Sequence, residues 1–193
     1  MPEQTLKSRP VYSPLQLDPG GRRHLLVADG EGVAERGLAH GTAAADFDER
    51  WTIVSHSRAI PSPDEGVSEH GFRSLPHLLA ALRRRLGDER MGFRLYAVGA
   101  EPFLWTINAL AGELGLGGAE IHLCAVGPQA RRVFCNHCRT ITEGVTTNVV
   151  TCAGCNASLF VRDHFSKRLN AFAGVQVDAE SPGEIPDIEE LYA

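Results

Sequence analysis

Four of the five cysteines stand in two close pairs, Cys135-Asn136-His137-Cys138 and Cys152-Ala153-Gly154-Cys155, with thirteen residues between them. A C-x2-C unit turns the chain so that two thiolates face one point, about 3.7 Å apart. Two such units complete a tetrahedron around a metal ion with metal–sulfur distances of about 2.3 Å. Between the pairs, Thr140 to Thr151 is rich in Thr and Val around Glu143-Gly144, which suits a β-hairpin drawing the two knuckles together. Four soft thiolates leave no vacant coordination position, so Cys135, Cys138, Cys152 and Cys155 are expected to hold a structural ion rather than to catalyse hydrolysis. Zn2+ suits this set best. A single iron in the same geometry stays open, because sulfur ligation does not choose between the two metals. Four reduced core thiols or two disulfides are the plainer alternatives, and the paired spacing argues against both.

The remaining reactive side chains say less. His137 sits inside a knuckle, where a fifth ligand is redundant. Cys124 lies in the apolar run Ile121–Val126 and reads as a small buried hydrophobe. His164, in Val161-Arg162-Asp163-His164-Phe165, reads either as part of a solvated turn after the last strand or as a contact for an anionic group on a partner. No nucleophile with an activating base, no acid–base pair and no open metal site is visible. No catalytic residue and no cofactor-binding residue is therefore expected in this chain.

The cysteines must be positioned by strands, and the chain before them carries a strand–helix alternation. His24-Leu25-Leu26-Val27-Ala28 is a short apolar run that stops at Asp29-Gly30-Glu31-Gly32, and Arg50 to His56 is a second run with β-branched and aromatic residues. Pro61 to Gly71 reads as a loop. Leu75, Leu78, Leu79, Leu82 and Leu86 recur at helical spacing. Phe93–Val98 is a third strand ending at Gly99. Glu101-Pro102 opens a second helix whose buried face is Phe103, Ile107, Leu110 and Leu114, with Gly115, Gly117 and Gly118 ending it. Ile121–Val126 is a fourth strand. Strands alternating with helices predict a parallel sheet.

The chain has 193 residues, 43% hydrophobic and 22% charged, which allows one medium domain or two small ones and rules out wholesale disorder. A formal net charge of -5 argues against a nucleic-acid binder, despite a local balance of +4 over residues 131–168. No apolar run is long enough for a membrane span. The start Met1-Pro2-Glu3-Gln4 has neither a basic nor an apolar region of a signal peptide, so a cytoplasmic setting is expected, in keeping with paired, metal-type cysteines. Four prolines precede Gly20-Gly21, giving an extended arm. From Asp178 onward six acids occur with no Lys or Arg. Both ends have too little apolar content to build a core and are expected to stay solvated unless a partner orders them.

Two resemblances attach to these motifs. The early run Leu25–Val33, the turn Arg94–Pro102 and the stretch Gly115–His122 resemble, in the right order, the nicotinamide-binding domain of ferredoxin–NADP reductase-type flavoproteins. Asp29 and Glu31 depart from that pattern, since carboxylates in the phosphate loop repel pyrophosphate. Ala97 also stands where that family has its cysteine, and no flavin domain is present. The fold is expected to be kept and NAD(P)H binding lost.

The second resemblance spans essentially the whole chain and is to the small subunit of bacterial dimethylamine monooxygenase. It is carried by Ser8-Arg9-Pro10-Val11-Tyr12, Cys135-x2-Cys138-Arg139-Thr140, Thr142–Thr147, Cys152-Ala153-Gly154-Cys155, Val161–Ser166 and Gly174–Glu180. The resemblance implies a complex that oxidises dimethylamine to methylamine and formaldehyde with O2 and NADPH. Haem would lie on one partner subunit, FMN and [2Fe–2S] on another, and zinc on this one.

The expected architecture is thus α/β: an N-terminal arm (1–21), a degenerate reductase-like domain with a parallel sheet (22–127), a small four-cysteine zinc-ribbon domain (128–177) and an acidic tail (178–193). The expected role is that of a non-catalytic zinc-bearing subunit that docks or stabilises the haem-bearing and flavin/[2Fe–2S] subunits. Both ends of the chain, with the basic region around Arg162, Lys167 and Arg168, are expected against the haem subunit. A rubredoxin-like electron carrier between those subunits is the alternative.

Overall fold

The computed structural model describes residues 9–55 and 68–192. The predicted features at Met1–Gln4, at Ser8, at His56 and from Pro61 to Val67 lie outside the described residues. The chain divides into two compact units, one of Tyr12–Gly127 and one of the segment from Pro128 onward with the residues up to Val11.

The first unit is built on a five-stranded parallel sheet in the order β3-β2-β1-β4-β5. Its strands are β1 (Arg23–Ala28), β2 (Glu49–Ile53), β3 (Ser68–Phe72), β4 (Phe93–Gly99) and β5 (Ile121–Ala125), and its helices are α1 (Val33–Gly37), α2 (Leu75–Gly87) and α3 (Glu101–Glu113). The central strands β1 and β4 are apolar on both faces because both are covered. On one face Leu25, Val27 and Leu95 pack with Leu78, Leu82 and Leu86 of α2 and with Leu104 and Ile107 of α3. On the other, Leu26, Tyr96 and Val98 pack with Leu15, Phe47 and Cys124. Cys124 is 5% exposed, and its thiol donates to the carbonyl of Gly37. Gly37 itself must be glycine, since a Cβ there would overlap the side chain of Val98.

Residues 68–71 are not loop, as the sequence predicts, but part of edge strand β3. Ser68-Glu69-His70-Gly71-Phe72 has little strand propensity of its own. It is held by in-register pairing with β2, from Glu49↔Ser68 to Ile53↔Phe72, and by His70 and Phe72 rings 5.6 and 5.1 Å from Trp51. The second half of the proline-rich arm is not solvated either. Leu15 is 2% exposed and bridges to Leu38, with its amide on the Gly37 carbonyl and its carbonyl accepting from Ala39. Asp18 pairs with Arg94, and its amide donates to the Tyr96 hydroxyl.

The second unit is a five-stranded sheet in the order β7-β6-β10-β9-β8: β6 (Arg131–Cys135), β7 (Ile141–Val145), β8 (Val149–Thr151), β9 (Ser158–Ser166) and β10 (Ala171–Gln176). β6 and β10 run parallel, and the other neighbours run antiparallel. Two expectations fail here. Residues 140–151 do not form a hairpin, because β7 and β8 lie at opposite edges of the sheet. Each pairs instead with the strand on the far side of its own cysteine pair, β7 with β6 and β8 with β9. His164 is in no turn: it is an exposed position of the nine-residue strand β9, and β10 follows.

The acidic tail ends on its own unit. Tyr192 is 5% exposed and stacks on the guanidinium of Arg131, whose Cζ lies 3.6 Å from the Tyr192 ring centroid and 3.9 Å from that of Phe172. The amides of Leu191 and Tyr192 both donate to the Thr146 carbonyl. Asn148 holds the chain before them, accepting from the Glu189 amide on Oδ1 and donating through Nδ2 to the Asp187 carbonyl. One buried tyrosine and one asparagine thus order a segment whose composition predicts solvation.

Candidate metal centre

The two cysteine pairs occupy equivalent turns. Cys135 closes β6, and the amide of Arg139 returns to the Cys135 carbonyl at 2.9 Å; in the second pair the amide of Asn156 returns to the Cys152 carbonyl at 3.1 Å. Arg139 and Asn156 each take a left-handed conformation, with φ of 66° and 58°. The turn then re-enters its strand through matching bonds, Cys135 amide to Thr140 carbonyl and Cys152 amide to Ala157 carbonyl, both 2.9 Å. Each pair is therefore the tip of its own hairpin, and the sheet brings the two tips together.

The four sulfur atoms lie within 4.8 Å of one another. Cys135 Sγ is 3.9 Å from Cys155 Sγ, and Cys138 Sγ is 3.5 Å from Cys152 Sγ. These separations exclude disulfides, whose sulfurs sit about 2 Å apart. They match the edges, about 3.8 Å, of a tetrahedron with metal–sulfur distances of about 2.3 Å. Cys135 and Cys152 are fully buried, while Cys138 and Cys155 are partly exposed. Gly154 permits the approach: a Cβ there would run into the Thr140 hydroxyl and come within 3.2 Å of Cys138 Sγ.

The hydrogen bonds to the sulfurs favour thiolates. The Thr140 hydroxyl, then its amide, bring the Cys138 thiol down to about 6. The amides of Cys155 and Gly154 lower Cys152 as well, against the desolvation that opposes them. At Cys155 the Ala157 amide acts in the same direction, but desolvation and the sulfurs of Cys138, Cys152 and Cys135 outweigh it and push that thiol up to about 12. Four thiolates at this spacing cannot all ionise against one another. A divalent cation at their centre removes the repulsion and replaces the protons, so the donor set fits a thiophilic metal. An ion held by all four sulfurs would have a closed tetrahedral shell. The sequence shows the four cysteines; it does not show Thr140 and Gly154 as their support, although both immediately follow or lie inside the knuckles.

The parallel sheet of the other unit has its switch point between β1 and β4, where open α/β sheets bind ligands beyond the strand ends. Asp29 stands there, its carboxylate accepting from the Ala100 amide at 3.3 Å, just before α3. It packs so closely on Gly99 that a Cβ on Gly99 would overlap its own. Burial raises the Asp29 pKa, with the Ala100 amide opposing. Glu31 accepts from the Ser55 amide at 3.2 Å. Tyr12 fills the space beside α3, donating to Glu101 and accepting from Trp105 Nε1, both 2.8 Å. The carboxylates thus engage amides at the sheet edge, in the place where a phosphate would be received.

A parallel α/β unit followed by a β-sheet carrying a four-cysteine cluster defines a two-unit protein with a sulfur site able to hold a metal ion. Two family models match it in order. The model described as dimethylamine monooxygenase subunit DmmA-like, N-terminal domain, matches residues 4–121, and the corresponding C-terminal domain model matches residues 132–175. The chain belongs to the dimethylamine monooxygenase subunit DmmA-like family. It is 36% identical over 175 residues, covering 91% of both chains, to the heme-dependent oxidative N-demethylase delta subunit of Ectopseudomonas mendocina (strain ymp). No solved structure matches the chain. Among the described residues, no helix is long and apolar enough to cross a membrane.

Proposed function

We propose that this chain is a non-catalytic, zinc-binding accessory subunit of a multi-subunit, cytoplasmic dimethylamine monooxygenase. The observation that carries the reading is the closed four-sulfur cluster in a chain of this family, similar along 91% of its length to the delta subunit of an oxidative N-demethylase. Cys135, Cys138, Cys152 and Cys155 would hold the ion, which when bound ties the β6–β7 and β8–β9 hairpins together. Zinc fits because four thiolates with no open position suit an ion that neither changes redox state nor demands a vacancy. Haem is assigned to one partner subunit and FMN with [2Fe–2S] to another, in keeping with the heme dependence named for the delta-subunit relative. Its role is then to stabilise or dock those subunits.

A rubredoxin-like electron carrier is the second reading. What favours it is that Cys138 and Cys155 reach the surface, while amides and the Thr140 hydroxyl hydrogen-bond the sulfurs, the kind of bonding that tunes iron–thiolate potentials. Purification of the complex from the native host, with the haem-bearing and flavin/[2Fe–2S] chains identified in the same fraction, tests the accessory role. A chain recovered alone from that host would count against it.

A further inference from the structure

Among the described residues, five large hydrophobic side chains are exposed, and three of them, Ile185, Ile188 and Leu191, fall within one stretch of seven tail residues, at 50%, 66% and 53% exposure. They recur every third residue, and exposed Glu184, Asp187, Glu189 and Glu190 stand between and beside them. A segment that merely solubilises has no use for three exposed aliphatic side chains, and a solvated one would not be fastened. This one is fastened from behind. Asn148, 9% exposed, spends both ends of its amide on the Glu189 amide and the Asp187 carbonyl, and its own amide donates to the Glu189 carbonyl at 3.0 Å. Beyond it Tyr192 is locked over Arg131. The fastening turns the polar backbone inward and leaves the aliphatic side chains out, so the ordering cost of binding has already been met.

Beside this strip lies a groove of about 460 Å³, lined in part by Phe160, Val175 and Pro186 and by the charged side chains of Arg162, Glu180 and Glu184. Glu184 and Pro186 flank Ile185, so strip and groove are continuous. A recess of that kind next to apolar anchors is where one inserted side chain concentrates binding energy.

We infer that Ile185, Ile188 and Leu191 form a preorganised docking strip for another subunit of the complex, one presenting an apolar centre rimmed by Lys and Arg. The rim follows from charge: four carboxylates around the strip, with Glu180 and the cation Arg162 in the adjoining groove, leave the surface acidic, so it repels an acidic surface, an anionic lipid headgroup or a nucleic acid and attracts a basic protein face. The inference rests on the accessory-subunit reading and specifies which surface that role uses.

The test is made on the full chain co-expressed with the other subunits of its complex. Ile185→Ser, Ile188→Ser and Leu191→Ser together should weaken co-purification by at least about tenfold, while metal content and melting temperature stay those of the wild type, the three side chains being exposed. Separately, Glu184→Lys with Asp187→Lys and Glu190→Lys should slow association and reverse its dependence on salt, because the strip then repels a basic face and salt screens that repulsion. Asn148→Ala, which unfastens the strip without altering it, should weaken assembly less than the triple serine variant. Assembly at wild-type strength by both surface variants overturns the strip and leaves the accessory role intact. Self-association of the isolated wild-type chain that the serine variant loses overturns the choice of partner, because the strip is then an interface between copies. Failure of the wild type itself to co-purify overturns the accessory reading together with the strip.

Discussion

At the residue scale the four-cysteine cluster depends on atoms other than its sulfurs. Gly154 is required because the Thr140 hydroxyl occupies the space of its missing Cβ, and that hydroxyl in turn draws the Cys138 thiol toward thiolate. Gly154→Ala is therefore expected to cost about 1–3 kcal/mol in the unfolding free energy of the metal-loaded chain. Adding Thr140→Ala should recover part of that loss by vacating the space, and chemical denaturation of the two variants checks the pair. Replacing a ligand is more severe. Cys152→Ser, at a fully buried position, should abolish stoichiometric metal and unfold the cysteine-bearing unit while the α/β unit retains its helical signal, as seen by circular dichroism with metal analysis. The cysteines themselves are legible in the sequence because ligand spacing is local. Thr140 and Gly154 are not, since their contact joins two hairpins.

A pH response belongs to the same scale. His122 stacks on Tyr96 with ring centroids 4.7 Å apart, and its Nε2 lies 4.0 Å from Asp18. Burial lowers its pKa, Asp18 partly opposes, and Arg94 and His24 add to the lowering. A histidine kept neutral in the fold penalises nothing above the unfolded value of 6.5. As pH falls below that value the unfolded chain takes up the proton first, so stability declines until the depressed folded pKa is reached. Thermal melts of the chain should thus show a falling midpoint on going below 6.5. His122→Gln should flatten that decline, and an unchanged slope in the variant would assign it to other groups.

At the element scale, the strands and helices visible in sequence are those whose burial is encoded by their own residues. The leucines of α2 at 75, 78, 79, 82 and 86 form one apolar stripe, and β1 and β4 are continuous apolar runs because the sheet buries both faces. The elements missed are those whose partner makes them. β3 exists because β2 supplies a hydrogen-bonding edge, and the 140–151 stretch splits between two hairpins because β10 takes the place between them. The tail is the same case. Its order comes from Asn148 and Arg131, residues whose roles no local pattern announces. Tyr192→Ala should lower the stability of the cysteine-bearing unit by about 2–4 kcal/mol, combining lost aromatic burial with a buried guanidinium deprived of one stacking face. Urea unfolding followed by thiol labelling at the four cluster cysteines, which lie in that unit, measures this, and a change below about 0.5 kcal/mol would mean the tail contributes no packing.

At the scale of the whole molecule, two units of different construction share a chain, and among the described residues the cluster able to hold a metal is the four-cysteine site. The switch point of the α/β sheet has Asp29 on the Ala100 amide and Glu31 on the Ser55 amide, both of which discourage a phosphate. Titration calorimetry of the isolated chain with NADPH is expected to give no binding in the micromolar range, and Asp29→Asn should not by itself create it while Tyr12 remains beside α3. The chain alone should likewise show no dimethylamine-dependent O2 consumption. Activity is expected only with the haem and flavin/[2Fe–2S] subunits present.

The claim on which these expectations turn is that the four sulfurs hold zinc as a structural ion. Elemental analysis of the full-length chain, purified with its partners and then separated from them, tests it most directly when read together with the absorption spectrum. The account predicts one zinc per chain, a colourless protein, and loss of the cysteine-bearing unit's cooperative melt when a chelator removes the ion. Iron at one per chain with a red thiolate spectrum, or a metal-free chain that melts unchanged after chelation, would contradict it.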